Sequence, residues 1–233
     1  EKAGLERSHV DLFVHGFTVG TNAFLMRTGA RVVMVLTDGF RDVLEIGDQL
    51  RPELYSLQQN KPVPVVPRSR ILEIAERIDS FGEVVQEISD DDIARVIDDI
   101  AALEPEAISV CLNFSFVNDV HERKLGEALR QKFTDIPVYL SCDVNPEIEE
   151  YPRTNTTAIA GYLGPIIDKY LRHLEKDLQD SGVTAPLRLM RSDGGMSTPR
   201  AARTNPATMM LSGPAGGVIA SAYLGQRLEI ENL

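Results

Sequence analysis

Short apolar runs alternate along this chain with stretches whose apolar residues recur every three or four positions, the pattern of strands alternating with helices. DLFVH (residues 11–15), TVGTNAFLMRT (18–28) and RVVMVLT (31–37) predict strand, helix and strand. VVMVL is continuously apolar, as a parallel strand covered on both faces requires. ILEIAERIDSFGEVVQEIS (71–89) holds two strand-like stretches flanking DSFG, which predicts a β-hairpin. Ser89 can cap a helix with an acidic first turn (Asp90, Asp91, Asp92) and an apolar stripe of Ile93, Val96, Ile97, Ile100 and Leu103. AISVCL then predicts a strand, residues 119–133 a helix and PVYLS a strand, a βαβ unit that should cross over right-handed. The longest helix is predicted from about Thr156 to Asp180, on the stripe Ile159, Tyr162, Leu163, Ile166, Ile167, Tyr170, Leu174 and Leu178. A strand, PLRLMR, a glycine turn, SDGGM, and a small-residue loop, SGPAGG, leading into a final helix complete the chain.

The reading is an α/β protein with a mixed sheet, βαβ units and an inserted β-hairpin. Three stretches organise it: 1–50, a first βαβ unit; 51–88, an extended crossing over the proline-rich 51–69 and then the hairpin; and 89–233, an α/β region ending in the glycine loop and its helix. Composition changes this picture little. Of 233 residues, 43% are hydrophobic and 25% charged, an ordinary globular balance. Charge narrows the partners: a net charge of −11 with no segregated basic patch disfavours nucleic acid and anionic membranes. No apolar run reaches the roughly 18 residues of a membrane span, and no basic-then-apolar leader opens the sequence, so the cytoplasm is the default expectation. Cys111 and Cys142, at the ends of apolar runs and without CxxC spacing, read as reduced, inert thiols.

Candidate chemistry gathers at strand ends, where ligands collect in open α/β sheets. In HGFTVGTNAF, Thr18, Thr21 and Asn22 offer hydroxyl and amide groups at a helix start, although Thr18 equally suits a plain helix cap and His15 a structural histidine. In TDGFRDVLEIG, Arg41 either faces an anion in two-pronged fashion or pairs with Glu45 one turn on. In RSDGGM, Asp193 stands before two glycines, where a tight hairpin turn is the simpler explanation. In SGPAGG, Ser212 can cap, Pro214 suits an early helical position, and Gly213, Gly216 and Gly217 permit either a phosphate or a closely packed helix. The spacing is neither that of the P-loop nor GxGxxG. Acidic runs such as 90–92 and 149–150 lack histidines at ligand spacing, so no metal site is read from the residues.

HGFTVGTNAFL, TDGFRDVLEIGDQLRPELYSL, PVPVVPRSR, EIAERID, NFSFVNDVHERKLGEAL, NPEIEEYPRTNTTAIAGYL, RLMRSDGGM and LSGPAGGVIAS follow one another across almost the whole chain. Together they resemble the hydantoinase A and 5-oxoprolinase family, whose relatives include nucleotide-binding subunits of acetone and acetophenone carboxylases. The chain departs from the family's usual HGTTVATNALL at Phe17, Gly20 and Phe24, has Arg191, Ser192 and Asp193 where the family has QSN of QSNGG, and departs from RTSTT at Asn155. A hydroxyl lost at 17 and a charge gained at 191 bear on the substrate pocket.

The resemblance implies part of an actin-like ATPase or sugar-kinase type fold, with one phosphate loop expected before Glu1 and another after Leu233, so that this chain corresponds to an interior segment. It implies an ATP- and Mg²⁺-dependent hydrolase subunit that opens a cyclic amide, of hydantoin or 5-oxoproline type, after phosphorylation of the carbonyl oxygen. Thr18, Thr21, Asn22, Arg41 and Asp193 are then expected to face substrate or nucleotide, with Gly213, Gly216 and Gly217 near phosphates and a hydantoinase B-like subunit as partner. A ketone carboxylase subunit and a non-catalytic assembly module are the alternatives.

Overall fold

The computed structural model describes residues 10–50, 55, 56, 58 and 61–230. Much of the extended crossing expected over 51–69 (residues 51–54, 57, 59 and 60) therefore lies outside the described residues. Among the described residues the elements run β1 (Phe13–His15), α1 (Val19–Leu25), β2 (Val32–Thr37), α2 (Val43–Ile46), β3 (Ile71–Ile74), β4 (Arg77–Ile78), β5 (Val84–Gln86), α3 (Asp90–Ala102), β6 (Ala107–Cys111), α4 (Val120–Lys132), β7 (Val138–Leu140), α5 (Ser141–Val144), α6 (Glu150–Asp180), β8 (Leu187–Met190), β9 (Met196–Ser197), α7 (Pro199–Thr204) and α8 (Ser212–Leu228). They fall into two compact units: a central one, Ala30–Pro165, and a terminal one built from the chain up to Gly29 and from Ile166 onward.

The central unit is a parallel sheet in the order β3-β2-β6-β7. Every residue of β2 and β6 is buried, as their unbroken apolar runs demand. Alternation sorts the side chains. Val33, Val35, Ile108 and Val110 join Ile93, Val96 and Ile100 of α3 and Leu125 and Leu129 of α4 in one core cluster. The opposite face meets α6: the Ser109 hydroxyl donates to the Thr157 carbonyl at 2.9 Å and Cys111 Sγ lies 3.4 Å from Thr154 Oγ1. Close approach here requires glycine. A Cβ at Gly161 would sit 3.1 Å from Val32 Cγ1, and one at Gly164 would sit 2.9 Å from Tyr139 Cε2 and nearer still to its hydroxyl. Ser89 caps α3 by accepting from the Asp92 N–H at 3.0 Å, as its acidic first turn predicts.

Two expectations need correction. Ile71–Ile74 pairs in parallel with β2 rather than forming one arm of the hairpin. Ile71 and Ile74, three residues apart and so on opposite faces of the strand, are both fully buried, as a sheet covered on both faces requires; the hairpin shrinks to β4 and β5 around Asp79–Gly82. Helix α6 starts at Glu150, ahead of Thr156, because Pro152 lies in its first turn, where a missing N–H is harmless. Its opening turns bury Arg153, Thr154 and Thr157 rather than an apolar stripe, so periodicity does not reveal them.

The terminal unit pairs β1 with β8 in parallel and β8 with β9 antiparallel. Arg203 of α7 fastens to the α6 residues Asp168 and Glu175 at 2.7 and 2.6 Å. No helix among the described residues is long and apolar enough to cross a membrane.

Replacing Gly164 by alanine is expected to lower the stability of the chain by roughly 1–3 kcal/mol through overpacking against Tyr139. A urea midpoint unchanged from wild type would show that α6 does not need this approach.

Candidate functional site

The two parallel strands of the terminal unit, β1 and β8, end together at His15 and Met190, and the segments that leave them meet the start of α8. SGPAGG is not a loop here: it forms the first turns of α8, after Leu211 in a left-handed conformation (φ 58°). Ser212 is correspondingly not the cap. It is buried, and its hydroxyl donates to the Phe17 carbonyl at 2.9 Å. The Leu211 N–H donates to Thr21 Oγ1 at 3.0 Å, and the Asn22 amide donates to Thr18 Oγ1 at 3.4 Å. Thr18 occupies the cap position of α1 without capping it.

The glycines divide by surroundings. A Cβ on Gly213 would lie 2.8 Å from Thr18 Cγ2, so this glycine lets α8 approach the start of α1. On Gly216 it would make an ordinary 3.5 Å contact with Met190, and on Gly217 it would meet no described atom within 4 Å. Asp193 turns the chain after β8, accepting from the Gly195 N–H at 2.9 Å and pairing with Arg191 Nη2 at 2.8 Å. Arg191 Nε is buried with no hydrogen-bond partner among the described residues, an orphaned donor at this edge. Nearby, Tyr170 Oη and His15 Nε2 are 2.5 Å apart and the rings stack. Burial lowers the His15 pKa and raises that of Tyr170, which favours the neutral form of both partners.

Thr18, Thr21, Asn22, Asp193, Gly213, Gly216 and Gly217 thus all belong to the terminal unit, with Thr18, Thr21 and Gly213 at one junction. Arg41 belongs to the central unit. Its guanidinium donates to the Arg68 carbonyl at 3.4 and 3.2 Å, not to Glu45, and its N–H donates to Glu73 Oε1 at 3.2 Å.

The central unit carries a second polar cluster, unseen in the sequence reading, where β2, β3 and β6 end. The Thr37 hydroxyl donates to Glu76 Oε1 and accepts from the Asn113 N–H at 2.9 Å. Glu76 Oε2 lies 2.8 Å from His121 Nδ1, and both side chains are buried. One residue on, Glu122 accepts from the Leu112 N–H, the Cys142 N–H and the Ser141 hydroxyl at 2.8, 2.8 and 2.9 Å. The only signal for these in the sequence is the adjacent pair His121–Glu122 just inside a helix that follows an apolar strand. Burial raises the pKa of Cys111 and of Cys142, which agrees with inert thiols.

Residues 1–133 match the model for the hydantoinase/oxoprolinase N-terminal region, and residues 153–233 match the hydantoinase/oxoprolinase model. The chain belongs to the hydantoinase/oxoprolinase family. Within it, the chain is 29% identical to the caprolactamase subunit alpha of Pseudomonas jessenii over 96% of its own length and 32% of that protein. It is 30% identical to the 5-oxoprolinase of Saccharomyces cerevisiae, over 92% of this chain and 18% of that one. Among solved structures, a nucleotide-free acetone carboxylase described in the context of ATP-dependent acetone carboxylation superposes with a TM-score of 0.88 at 25% identity, covering 98% of this chain and 34% of that one. The ATP-dependent caprolactamase from Pseudomonas jessenii gives 0.86 at 29% identity, covering 97% and 33%. This chain therefore spans about a third or less of the relatives it matches, and its mixed α/β architecture is part of their actin-like ATPase type of fold.

Gly217→Ala is expected to stabilise the chain, by up to about 1 kcal/mol, since alanine favours a helix and meets no obstruction. Gly213→Ala should destabilise it through the Thr18 clash, by about 1–3 kcal/mol. Thermal melting of the two variants side by side checks the division; equal losses in both would mean that Gly217 is also a packing residue.

Proposed function

We propose that this chain forms part of an ATP-dependent enzyme that activates the carbonyl of a cyclic amide, with the nucleotide phosphates held where α8 begins. The observation that carries this reading is the junction of Thr18, Thr21 and Gly213; the residue that follows β8, Arg191, adds an orphaned Nε in the same unit. The amides at the start of a 17-residue helix favour an anion. Gly216 and Gly217 leave room along the next turn that a side chain would narrow. An unsatisfied buried guanidinium N–H is costly unless something accepts from it, and a phosphate or carboxylate oxygen suits that donor.

When bound, ATP would supply a phosphoryl group that turns a carbonyl oxygen into a leaving group, with Mg²⁺ offsetting phosphate charge. The chain's own residues orient and neutralise. Thr21 fixes the Leu211 N–H and hence the aim of the α8 amides. Thr18 and Asn22 hold each other at the start of α1. Asp193 keeps Arg191 in place. Arg41, whose guanidinium already serves the Arg68 carbonyl, has the smaller claim to an anion.

The relatives' names support ATP dependence and amide chemistry together: caprolactamase and 5-oxoprolinase both name cyclic amides. The acetone carboxylase likeness supports ketone carboxylation as a second reading of the same scaffold. Several of these relatives are named as subunits, which supports a protein partner, of hydantoinase B type in our reading. The exposed Val218, Tyr223, Leu224 and Leu228 of α8 offer apolar surface for contact with further polypeptide.

Calorimetric titration of Mg-ATP tests the proposal on this 233-residue chain and on a chain extended at both ends. Binding by either, weakened roughly tenfold by Thr21→Ala (about 1.4 kcal/mol), is the expected result. Absence of binding by both would overturn it. Phosphate release stimulated by a lactam, as against a ketone with bicarbonate, separates the two reactions.

A further inference from the structure

Strands β4 and β5 stand outside the parallel sheet as a two-stranded hairpin, yet both arms end on one imidazole. Glu76, the residue before β4, meets His121 Nδ1 at 2.8 Å; Glu87, the residue after β5, meets Nε2 at 3.3 Å. The two carboxylates differ in what else holds them. Glu76 is buried and fixed on its other oxygen by the Thr37 hydroxyl. The Glu87 side chain is 80% exposed. The hairpin tip is pinned by Asn118 Nδ2, which donates to the Gly82 carbonyl at 2.8 Å, and the segment after Glu87 by Lys124 Nζ, which donates to the Ile88 carbonyl at 3.0 Å.

We propose that His121 is a protonation-controlled latch on this hairpin: the imidazolium holds both Glu76 and Glu87, and the neutral ring releases the Glu87 arm. The imidazolium has two N–H groups and the neutral ring one. The remaining proton stays on Nδ1, because Glu76 is buried and would otherwise lose a charge-assisted bond, whereas Glu87 can turn to water. Nε2 then turns a lone pair toward a carboxylate oxygen, and the contact changes from attractive to repulsive.

The surrounding groups leave this control with His121. On its own helix, the Glu122 oxygens are taken by Leu112, Cys142 and Ser141, and Lys124 serves the Ile88 carbonyl and pairs with Asp90 at 2.8 Å. From the β4 side, Arg77 Nη2 donates to the Asp38 carbonyl at 3.4 Å. From the sheet, Thr37 is neutral. The latch lies where β2, β3 and β6 end, so release uncovers the Nε2 of a carboxylate-oriented imidazole at the edge where α/β sheets bind ligands.

Hydrogen exchange of the 233-residue chain, corrected for intrinsic rates and followed between about pH 5.5 and pH 8.5, tests the latch. Protection of residues 84–88 is expected to fall by about fivefold or more as pH rises, through local opening. In Glu87→Gln the dependence should vanish, because the amide can donate to a neutral Nε2; this exposed position tolerates the change. Wild-type protection that stays constant with pH, or a Glu87→Gln chain that keeps the dependence, would overturn the proposal.

Discussion

A single buried carboxylate fixes the working edge of the central sheet. Glu122 comes from the first turn of α4 and accepts from the N–H that follows β6, from the N–H that follows β7 and from the Ser141 hydroxyl between them. Its charge is balanced at one remove. Arg153, also fully buried, donates from Nη1 to Ser141 Oγ, Ser115 Oγ and the Leu112 carbonyl at 2.7, 2.6 and 2.8 Å, and lies over the Phe116 ring. The Ser141 hydroxyl relays one charge to the other. Removing either side chain would leave the buried groups it bonds unsatisfied, a loss of about 1–3 kcal/mol for each such group. Because these bonds hold the strand exits themselves, they also hold α4, and with it His121, against Glu76.

What the sequence shows of this is governed by how each residue type is buried. β2, β6 and α3 are legible because their apolar residues follow the period of the element and face a core. β3 is legible as a strand but not as a neighbour of β2, since four apolar-rich residues specify a pleat and not a partner. Glu122, His121 and Arg153 are illegible: VHERK and EYPRTNTT look like solvated helix faces, and only the fold turns these polar side chains inward. At the other edge, Thr18, Thr21 and Gly213 could be nominated from strand-end position, but what ties them together is a backbone N–H at Leu211, which no sequence pattern displays.

SGPAGG shows why a motif resists a single explanation. Gly213 is required by a neighbour, Gly216 touches one side chain loosely, and Gly217 faces open space. Helix packing accounts for the first and leaves the other two as a loss of helix propensity without a structural return. Residues that weaken a helix where nothing crowds them are the ones whose reason is sought outside the described atoms. An oxygen-rich ligand along the first turns of α8 is the reason we propose.

The same logic bears on what the chain acts upon. A fold shared at TM-scores of 0.88 and 0.86 with a ketone carboxylase and a lactamase does not by itself choose a substrate. The choice has to lie in side chains that leave the strand ends, and this chain differs from the family pattern there at Phe17, Arg191 and Asp193. Phe17 spends its ring on the stack with His15 and Tyr170, where a threonine hydroxyl would have pointed a donor instead. Arg191 brings a cation to a turn where the pattern has glutamine, and Asp193 holds part of that cation while Nε stays unpaired. Asp193 stands in the same turn where the pattern has asparagine and pairs with Arg191 at 2.8 Å, so the turn gains an ion pair rather than a net charge.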